Sequence, residues 1–186
     1  MMKKVTLLLA VLAMASMASA NLLTNGDFED SAGSGWSQWW GGNSNKYAPD
    51  PVEGDNCAGV WWSDDGVYQG LAIGPGTYTV SGMLEQNDLA NRIGVIQAEV
   101  GDGVNVWWVQ LIEIGPDDPT DTWISGSTVI DNTTAGATYL NINLFMIDQD
   151  VNPAGIVRFD NISVVPEPAT MALLSLGGVW MLRRKR

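Results

Sequence analysis

No stretch between residues 21 and 165 carries a convincing helical period, and this limits the chain to folds built from strands. β-branched and aromatic residues alternate with polar ones there, and glycine-rich segments such as Gly74-Pro75-Gly76 separate the alternating runs. Alternation with a period of two is typical of strands that bury one face, and glycine beside proline is typical of turns. The sequence therefore predicts an all-β domain.

The predicted strands number about nine, and at this spacing they favour two sheets packed face to face as a β-sandwich. They span residues 21–23, 59–62, 66–73, 77–84, 93–100, 104–114, 122–130, 137–147 and 156–164. The sequence contains no internal repeat that would suggest a solenoid or a propeller.

The strand predicted over residues 137–147 has two faces of different chemistry. Leu140, Ile142, Leu144 and Met146 share one face, which we expect in the core. The other face carries Tyr139, Asn141, Asn143 and Phe145. Amides flanked by aromatic rings suit sugar hydroxyls and the apolar faces of pyranose rings. A sugar-binding face is one interpretation, and packing by another sheet or a loop is the alternative.

The first twenty residues have the three parts of a secretory signal peptide. Lys3 and Lys4 give a positive start, residues 5–14 are apolar, and Ala18-Ser19-Ala20 is a small-x-small cleavage site. Signal peptidase would cut after Ala20 and leave Asn21 as the new N-terminus. The alternative, an N-terminal membrane anchor, is disfavoured because a span needs roughly 20 apolar residues.

Residues 165–186 form a second targeting segment. Val165-Pro166-Glu167-Pro168 precedes an apolar run over residues 171–182, and a basic cluster over residues 183–186 closes the chain. A helix of this length reaches only about 20 Å, short of a bilayer core of about 30 Å, and its basic end would stay cytoplasmic. We expect a short hydrophobic helix that anchors the chain transiently, with a permanent anchor as the alternative.

This tail resembles the PEP-CTERM sorting signal, because all three parts of that signal are present in order. The resemblance implies that an exosortase, a membrane protease, recognises and cuts the tail. It also implies an exported protein at the cell surface or in the extracellular matrix of a Gram-negative bacterium that makes extracellular polysaccharide.

The charge of residues 21–165 is strongly negative. Three basic residues, Lys46, Arg92 and Arg158, stand against twenty acidic ones, a net charge of −17. Such a surface repels nucleic acid, whose recognition needs basic contacts to phosphate. It suits divalent cations and neutral partners, and most of the acidic residues also serve to keep an exported protein soluble.

The cysteine and histidine contents exclude several kinds of site. Cys57 is the only cysteine, so no disulfide can form within the chain, and we expect it as a small buried apolar residue rather than a reactive thiol. The sequence has no histidine, which removes Ser-His-Asp and Cys-His nucleophilic sites and histidine-bound zinc.

Several segments of residues 21–164 together resemble the galactose-binding-like jelly rolls, notably the carbohydrate-binding modules of families four and nine. The segments are 21–29 (NLLTNGDFE), 35–36 (GW), 67–71 (VYQGL), 74–82 (GPGTYTVSG), 123–128 (WISGST) and 157–164 (VRFDNISV). The resemblance implies a two-sheet jelly-roll β-sandwich with no catalytic residues.

The same resemblance implies a structural calcium ion that ties the first strand to the last. The matching carboxylates are those of Glu29 and Asp160. Calcium takes six to eight oxygen ligands, so backbone carbonyls of the first loops would add to them. The alternative for Asp160 is a carboxylate that only caps a turn.

Eight of the nine tryptophans lie within residues 21–165, and they divide into packing and binding candidates. Trp36 and Trp123 match positions that the resemblance places in the core. The pairs Trp39-Trp40, Trp61-Trp62 and Trp107-Trp108 are adjacent, so on a strand one member would point inward and the other outward. We take Trp39, Trp40 and Trp107 as sugar-binding candidates, with packing of all eight as the alternative.

The sequence thus favours a non-catalytic module that binds extracellular polysaccharide. A structural surface or biofilm-matrix protein with the same fold and no sugar site is the alternative. A glycosidase is disfavoured, because no pair of carboxylates is established across a cleft. Ice binding is also disfavoured, because no regular threonine register appears.

Overall fold

A computed structural model describes residues 20–30, 34–38, 45–48, 51–60, 65–87, 92–133, 135–148 and 155–167. Most of the predicted signal peptide, the pairs Trp39-Trp40 and Trp61-Trp62, and the tail beyond Glu167 lie outside these residues.

The described residues form ten strands in two five-stranded sheets, which confirms the predicted all-β sandwich. The strands are β1 (Ser37–Gln38), β2 (Asn45–Ala48), β3 (Cys57–Val60), β4 (Asp65–Ala72), β5 (Thr77–Asn87), β6 (Arg92–Gly101), β7 (Val106–Ile114), β8 (Ile124–Asp131), β9 (Tyr139–Asp148) and β10 (Ile156–Pro166). The first sheet has the order β1-β4-β9-β6-β7, and the second has the order β2-β3-β10-β5-β8. Neighbouring strands are antiparallel throughout.

The core lies between the two sheets and is filled by alternate residues of the central strands. β9 contributes the four predicted core residues Leu140, Ile142, Leu144 and Met146, all completely buried. β5 and β10 contribute their own alternating apolar residues from the second sheet. Cys57 is buried as well, in line with its predicted packing role.

The segment predicted as the first strand has no regular strand structure but still joins the second sheet. The Leu22 amide donates to the Val164 carbonyl over 2.8 Å. The Asn21 side-chain amide supplies two further bonds, donating to the Ile162 carbonyl and accepting from the Val164 amide. The Asn21 side chain therefore replaces part of the regular backbone hydrogen bonding between strands, which the apolar pattern alone could not indicate.

Two differences from the predicted strands have physical reasons. β1 and β2, with two and four residues, are too short to show a period. β10 ends at Pro166 rather than Val164, opposite Tyr78. Proline lacks an N–H group, and a strand accommodates it at the end of the ladder.

Candidate functional site

The outer face of the first sheet carries rows of polar and aromatic side chains. Residues directly opposite each other on antiparallel strands share a face, so rows of side chains can be read across the sheet. One row runs from Trp108 on β7 through Glu99 on β6 and Asn141 on β9 to Gly70 on β4. This row places an aromatic ring, a carboxylate and an amide side by side.

A second row lies next to the first, two residues along each strand. It runs from Gln110 on β7 through Gln97 on β6 and Asn143 on β9 to Tyr68 on β4. Both amides predicted on β9 therefore lie on one face with glutamine and tyrosine side chains. We call the two rows together the amide face.

Trp107 and Trp108 point in opposite directions, as adjacent residues of a strand must. Trp107 is half-buried and packs against the core, whereas Trp108 is 60% exposed on the amide face. The sequence prediction named Trp107, which the structure places on the core side, because alternation alone does not say which member of the pair points outward. Trp108 joins the candidate site as the exposed member of the pair, and contact of Trp107 with sugar stays a prediction.

Glu99 lies close to Asn141 in its own row and to Tyr139, which shares this side of the sheet. The Asn141 side-chain amide donates to Glu99 Oε1 over 3.2 Å. Burial raises the pKa of the Tyr139 hydroxyl, and the nearby Glu99 carboxylate raises it further. The Tyr139 ring lies across Gly101, where a Cβ would collide with the hydroxyl. A glycine on β6 thus lets this ring lie low over the sheet beside Glu99.

Asn143 is nearly inaccessible, with 2% of its surface exposed. Its side-chain Nδ2 is buried and has no hydrogen-bond partner among the described residues. A buried amide donor without an acceptor costs free energy that an ordered water or a ligand oxygen would recover. Asn143 therefore adds a hydrogen-bond donor beneath the more exposed row of Trp108 and Glu99.

The sequence missed Trp108, Glu99, Gln97, Gln110 and Tyr68 as members of this face. A signal was available for β6, because Gln97 and Glu99 alternate with the completely buried Ile96, Ala98 and Val100. Pairing between β6 and β9 was the missing information, and only tertiary structure supplies it.

The remaining tryptophan predictions have mixed outcomes. Trp36 is buried, packs on Phe28 with ring centroids 5.1 Å apart, and donates from Nε1 to the Asn25 carbonyl, which confirms its packing role. Trp123 is half-buried. Trp39 and Trp40 lie outside the described residues, and their contact with sugar stays a prediction.

Glu29 and Asp160, the two predicted calcium ligands, lie close enough to influence each other electrostatically. Glu29 Oε1 accepts from the Asp55 and Asn56 amides, each over 2.9 Å, and these amides lower the pKa of Glu29. Asp160 is completely buried and accepts from the Val52 and Asn161 amides. Burial raises the pKa of Asp160, and the neighbouring Glu29 raises it further.

The proximity of these two carboxylates favours the binding of a hard cation between them. Two acidic groups in one neighbourhood, one of them buried, make ionisation of both costly unless a positive charge is present. No cluster of three or more acidic, histidine or cysteine residues surrounds them in the part of the chain that the structure describes. A calcium ion there would therefore take further oxygen ligands from backbone carbonyls and water.

The sorting motif begins inside the folded domain. Val165 and Pro166 are the last residues of β10, opposite Thr79 and Tyr78. The Glu167 amide donates to the Thr77 carbonyl over 2.8 Å, and its carboxylate accepts from the Thr79 hydroxyl over 3.3 Å. Pro168 lies outside the described residues, as do the apolar run and the basic end. At the other terminus, Ala20 is exposed.

Two surface grooves of about 360 and 350 Å³ lie away from the amide face. The first is lined mostly by residues of the N-terminal segment and of β10 at its irregularity over residues 161–163, and the second mostly by residues of β5 and β8. Their described lining residues include no aromatic ring, so the amide face remains the stronger candidate.

Among the described residues, no helix has the length and apolarity needed to cross a membrane.

Comparison with known proteins identifies the two parts of the chain separately. Residues 164–186 match the PEP-CTERM protein-sorting motif. A search of curated protein sequences finds no significant match.

Several solved structures share the fold of the described domain. The C-terminal family 22 carbohydrate-binding module of Clostridium thermocellum Xyn10B has a TM-score of 0.58 and 13% identity, covering 75% of this chain and 90% of that one. The CBM22-1 xylan-binding domain of Paenibacillus barcinonensis Xyn10C has a TM-score of 0.58 and 14% identity, covering 80% and 96%. TmCBM61, solved with β-1,4-galactotriose, has a TM-score of 0.54 and 18% identity, covering 80% and 100%.

These structural similarities show the fold alone, and they confirm the predicted jelly-roll sandwich, although these neighbours belong to families 22 and 61 rather than four and nine. The sorting motif indicates export and sorting to the surface by an exosortase. The chain thus carries a PEP-CTERM sorting motif behind a jelly-roll domain with the fold of carbohydrate-binding modules.

Proposed function

We propose that this protein is a non-catalytic module that binds extracellular polysaccharide through the amide face of its first sheet. The observation that carries the proposal is the row in which the exposed Trp108 lies beside Glu99 and Asn141. An indole ring offers an apolar surface to the face of a pyranose ring, and side-chain amides and carboxylates bond its hydroxyls. The domain also has the fold of the carbohydrate-binding modules named above.

The separation of Glu99 and Glu113, two acidic residues on this side of the sheet, argues against their acting as the carboxylate pair of a glycosidase. Glu99 lies on β6, opposite Trp108 of β7. Glu113 lies on β7, opposite Val95 of β6, and Val95 is four residues from Glu99 along β6. Four residues of strand correspond to roughly 13 Å, longer than the ~5 to 9.5 Å that separates the carboxyls of most glycosidases. Glu113 also accepts a hydrogen bond from Gln110 over 2.7 Å.

The first experiment is titration of the purified protein with a panel of neutral polysaccharides, followed by Trp108→Ala. We expect saturable binding that weakens about tenfold or more in the variant, since a stacked aromatic ring is commonly a dominant contact. Val129→Ala is the matched control, because Val129 is 58% exposed on β8 of the other sheet. Absence of binding to every glycan by a folded protein would favour the structural-matrix function instead.

We also propose that calcium binds at Glu29 and Asp160, where it would fasten the N-terminal segment and the 52–56 loop to β10. The support is the buried carboxylate of Asp160 next to a second acid. The ion would supply positive charge and oxygen coordination at a place where the chain brings three separate segments together.

The processing partners follow from the two chain ends. We propose that signal peptidase cuts between Ala20 and Asn21, and that the sorting tail anchors the chain transiently in the membrane of a Gram-negative bacterium before an exosortase cuts it. The match of residues 164–186 to the sorting motif supports the second step. Mass spectrometry of the protein recovered from the cell surface would identify both new termini.

A further inference from the structure

The amide face combines a sugar-stacking ring with a carboxylate, and this combination restricts the charge of what can bind. Glu99 lies directly opposite the exposed Trp108 on the neighbouring strand. Directly opposed side chains on antiparallel strands have Cβ atoms about 5 Å apart. Any sugar ring stacked on Trp108 therefore lies within a few ångströms of the Glu99 carboxylate.

The position of Glu99 is maintained by its neighbours on the same face. The Asn141 amide donates to Oε1 over 3.2 Å, and the Tyr139 hydroxyl lies near the same carboxylate. The half-exposed side chain keeps oxygen lone pairs available to accept from sugar hydroxyls. The buried Nδ2 of Asn143, without a partner among the described residues, is a second and independent sign that this face is built to receive oxygen atoms.

No compensating positive charge is available to this face from the described side chains. The only basic residues within 21–165 are Lys46, Arg92 and Arg158. Arg158 lies in the second sheet, where it pairs with Glu85. Lys46 lies on β2 of that same sheet, and Arg92 begins β6, seven residues from Glu99 and so roughly 23 Å away along the strand.

We propose that Glu99 makes this face selective for uncharged glycans and against glycans that carry carboxylate or sulfate groups. The inference rests on the proposed carbohydrate-binding function and adds the class of ligand to it. A uronate or sulfate beside Glu99 would meet a like charge in a partly desolvated place, within a domain whose net charge is −17. A neutral sugar would instead donate its hydroxyls to the same carboxylate.

The test compares one polysaccharide in two forms. Among the neutral glycans whose sugars carry primary hydroxyls, the one that binds best is used as it is and after oxidation of those hydroxyls to carboxylates, so that backbone and linkage stay the same. Titration of the full-length protein at about 50 mM salt should show at least tenfold weaker binding of the oxidised form. The difference should shrink at about 500 mM salt, where the Debye length falls to a few ångströms.

Two variants locate the selectivity. Glu99→Gln keeps the shape and should improve binding of the oxidised glycan about fivefold relative to the neutral one. Asp117→Asn removes the same charge from an exposed loop between β7 and β8 and should leave that ratio unchanged.

Each result has a distinct meaning. Equal binding of both forms, or an unchanged ratio in Glu99→Gln, would overturn the inference while leaving the carbohydrate-binding function intact. Binding of neither form, with the protein shown to be folded, would overturn both. Weaker binding of the oxidised form together with a ratio that moves only in Glu99→Gln would support it.

Discussion

Arg158 and Glu85 form a buried ion pair between neighbouring central strands of the second sheet. The two residues lie directly opposite each other on β10 and β5, and Arg158 Nη1 donates to Glu85 Oε2 over 3.3 Å. Their side chains are only 10% and 5% exposed. A buried charge depends on its partners, because removing one of them leaves more of the cost of its desolvation uncompensated.

Glu85→Gln should therefore lower the free energy of unfolding by about 3 kcal/mol. Replacing both partners with Leu and Met should recover most of that loss, because apolar residues of similar volume carry no desolvation cost. Urea unfolding of the single and double variants measures both effects. A loss below about 1 kcal/mol in the single variant would mean that water reaches the pair.

At the scale of residues, the sequence shows which types of side chain a strand carries better than it shows which member of an adjacent pair points outward. The alternation of residues 139–146 correctly separates the core residues from the amides. Trp107 and Trp108 show the limit, because two equal side chains in succession give no indication of which one is inside. Glu99 and Gln97 show another, since their importance comes from pairing with β9, which is more than forty residues away in sequence.

At the scale of elements, the long strands are predictable and the edges are not. The eight long or central strands carry enough alternation or flanking turn signals to indicate them. β1 and β2 do not, and the N-terminal segment joins β10 through the Asn21 side chain instead of a regular ladder. Docking of that segment also requires the close approach of Gly26 to the Ile162 carbonyl, which the sequence cannot show.

Gly26→Ala tests how firmly this N-terminal segment is docked. A Cβ at position 26 would collide with the Ile162 carbonyl oxygen. The Ile162 amide also donates a hydrogen bond to the Gly26 carbonyl, so the two backbone segments are held together at this point. Because backbone cannot move aside cheaply, we expect a loss of about 1–3 kcal/mol in the free energy of unfolding.

Gly74→Ala is the matched control for this experiment. A Cβ at position 74 would have no atom within 4 Å, and its φ lies outside the left-handed region. That variant should be neutral or more stable by up to about 1 kcal/mol. Denaturant midpoints of the two variants measure the difference, and equal midpoints would show that the segment yields without cost.

At the scale of the whole molecule, the two ends of the domain meet beside β10. The Leu22 amide donates to the Val164 carbonyl, and the match to the sorting motif begins at that same residue. The predicted signal-peptide cleavage site and the sorting motif therefore lie near each other in space. The amide face belongs to the other sheet, so we expect the tail to hold the domain by the second sheet and to leave the binding face free.

The pH dependence of the unfolding free energy should show whether calcium links the N-terminal segment to β10. Asp160 has its pKa raised in the folded state, so its favourable contribution is present below its ordinary value of 3.8 and is lost as the pH rises through the raised pKa. At neutral pH without metal the ionised, buried carboxylate therefore lowers stability. Glu29, whose pKa is lowered, acts in the opposite sense and favours the folded state at neutral pH.

Calcium binding would reverse the cost at Asp160, and we expect saturating calcium to raise the melting temperature at pH 7 by several degrees. A ligand at one hundred times its dissociation constant adds about 2.7 kcal/mol to the unfolding free energy. The gain should diminish toward pH 4, because protons compete with the metal for the carboxylate.

Asp160→Asn should abolish the calcium response while Asp117→Asn keeps it, as differential scanning calorimetry with and without chelator would show. An identical melt in excess chelator would leave Asp160 as a carboxylate that only fixes the 52–56 loop through the Val52 amide.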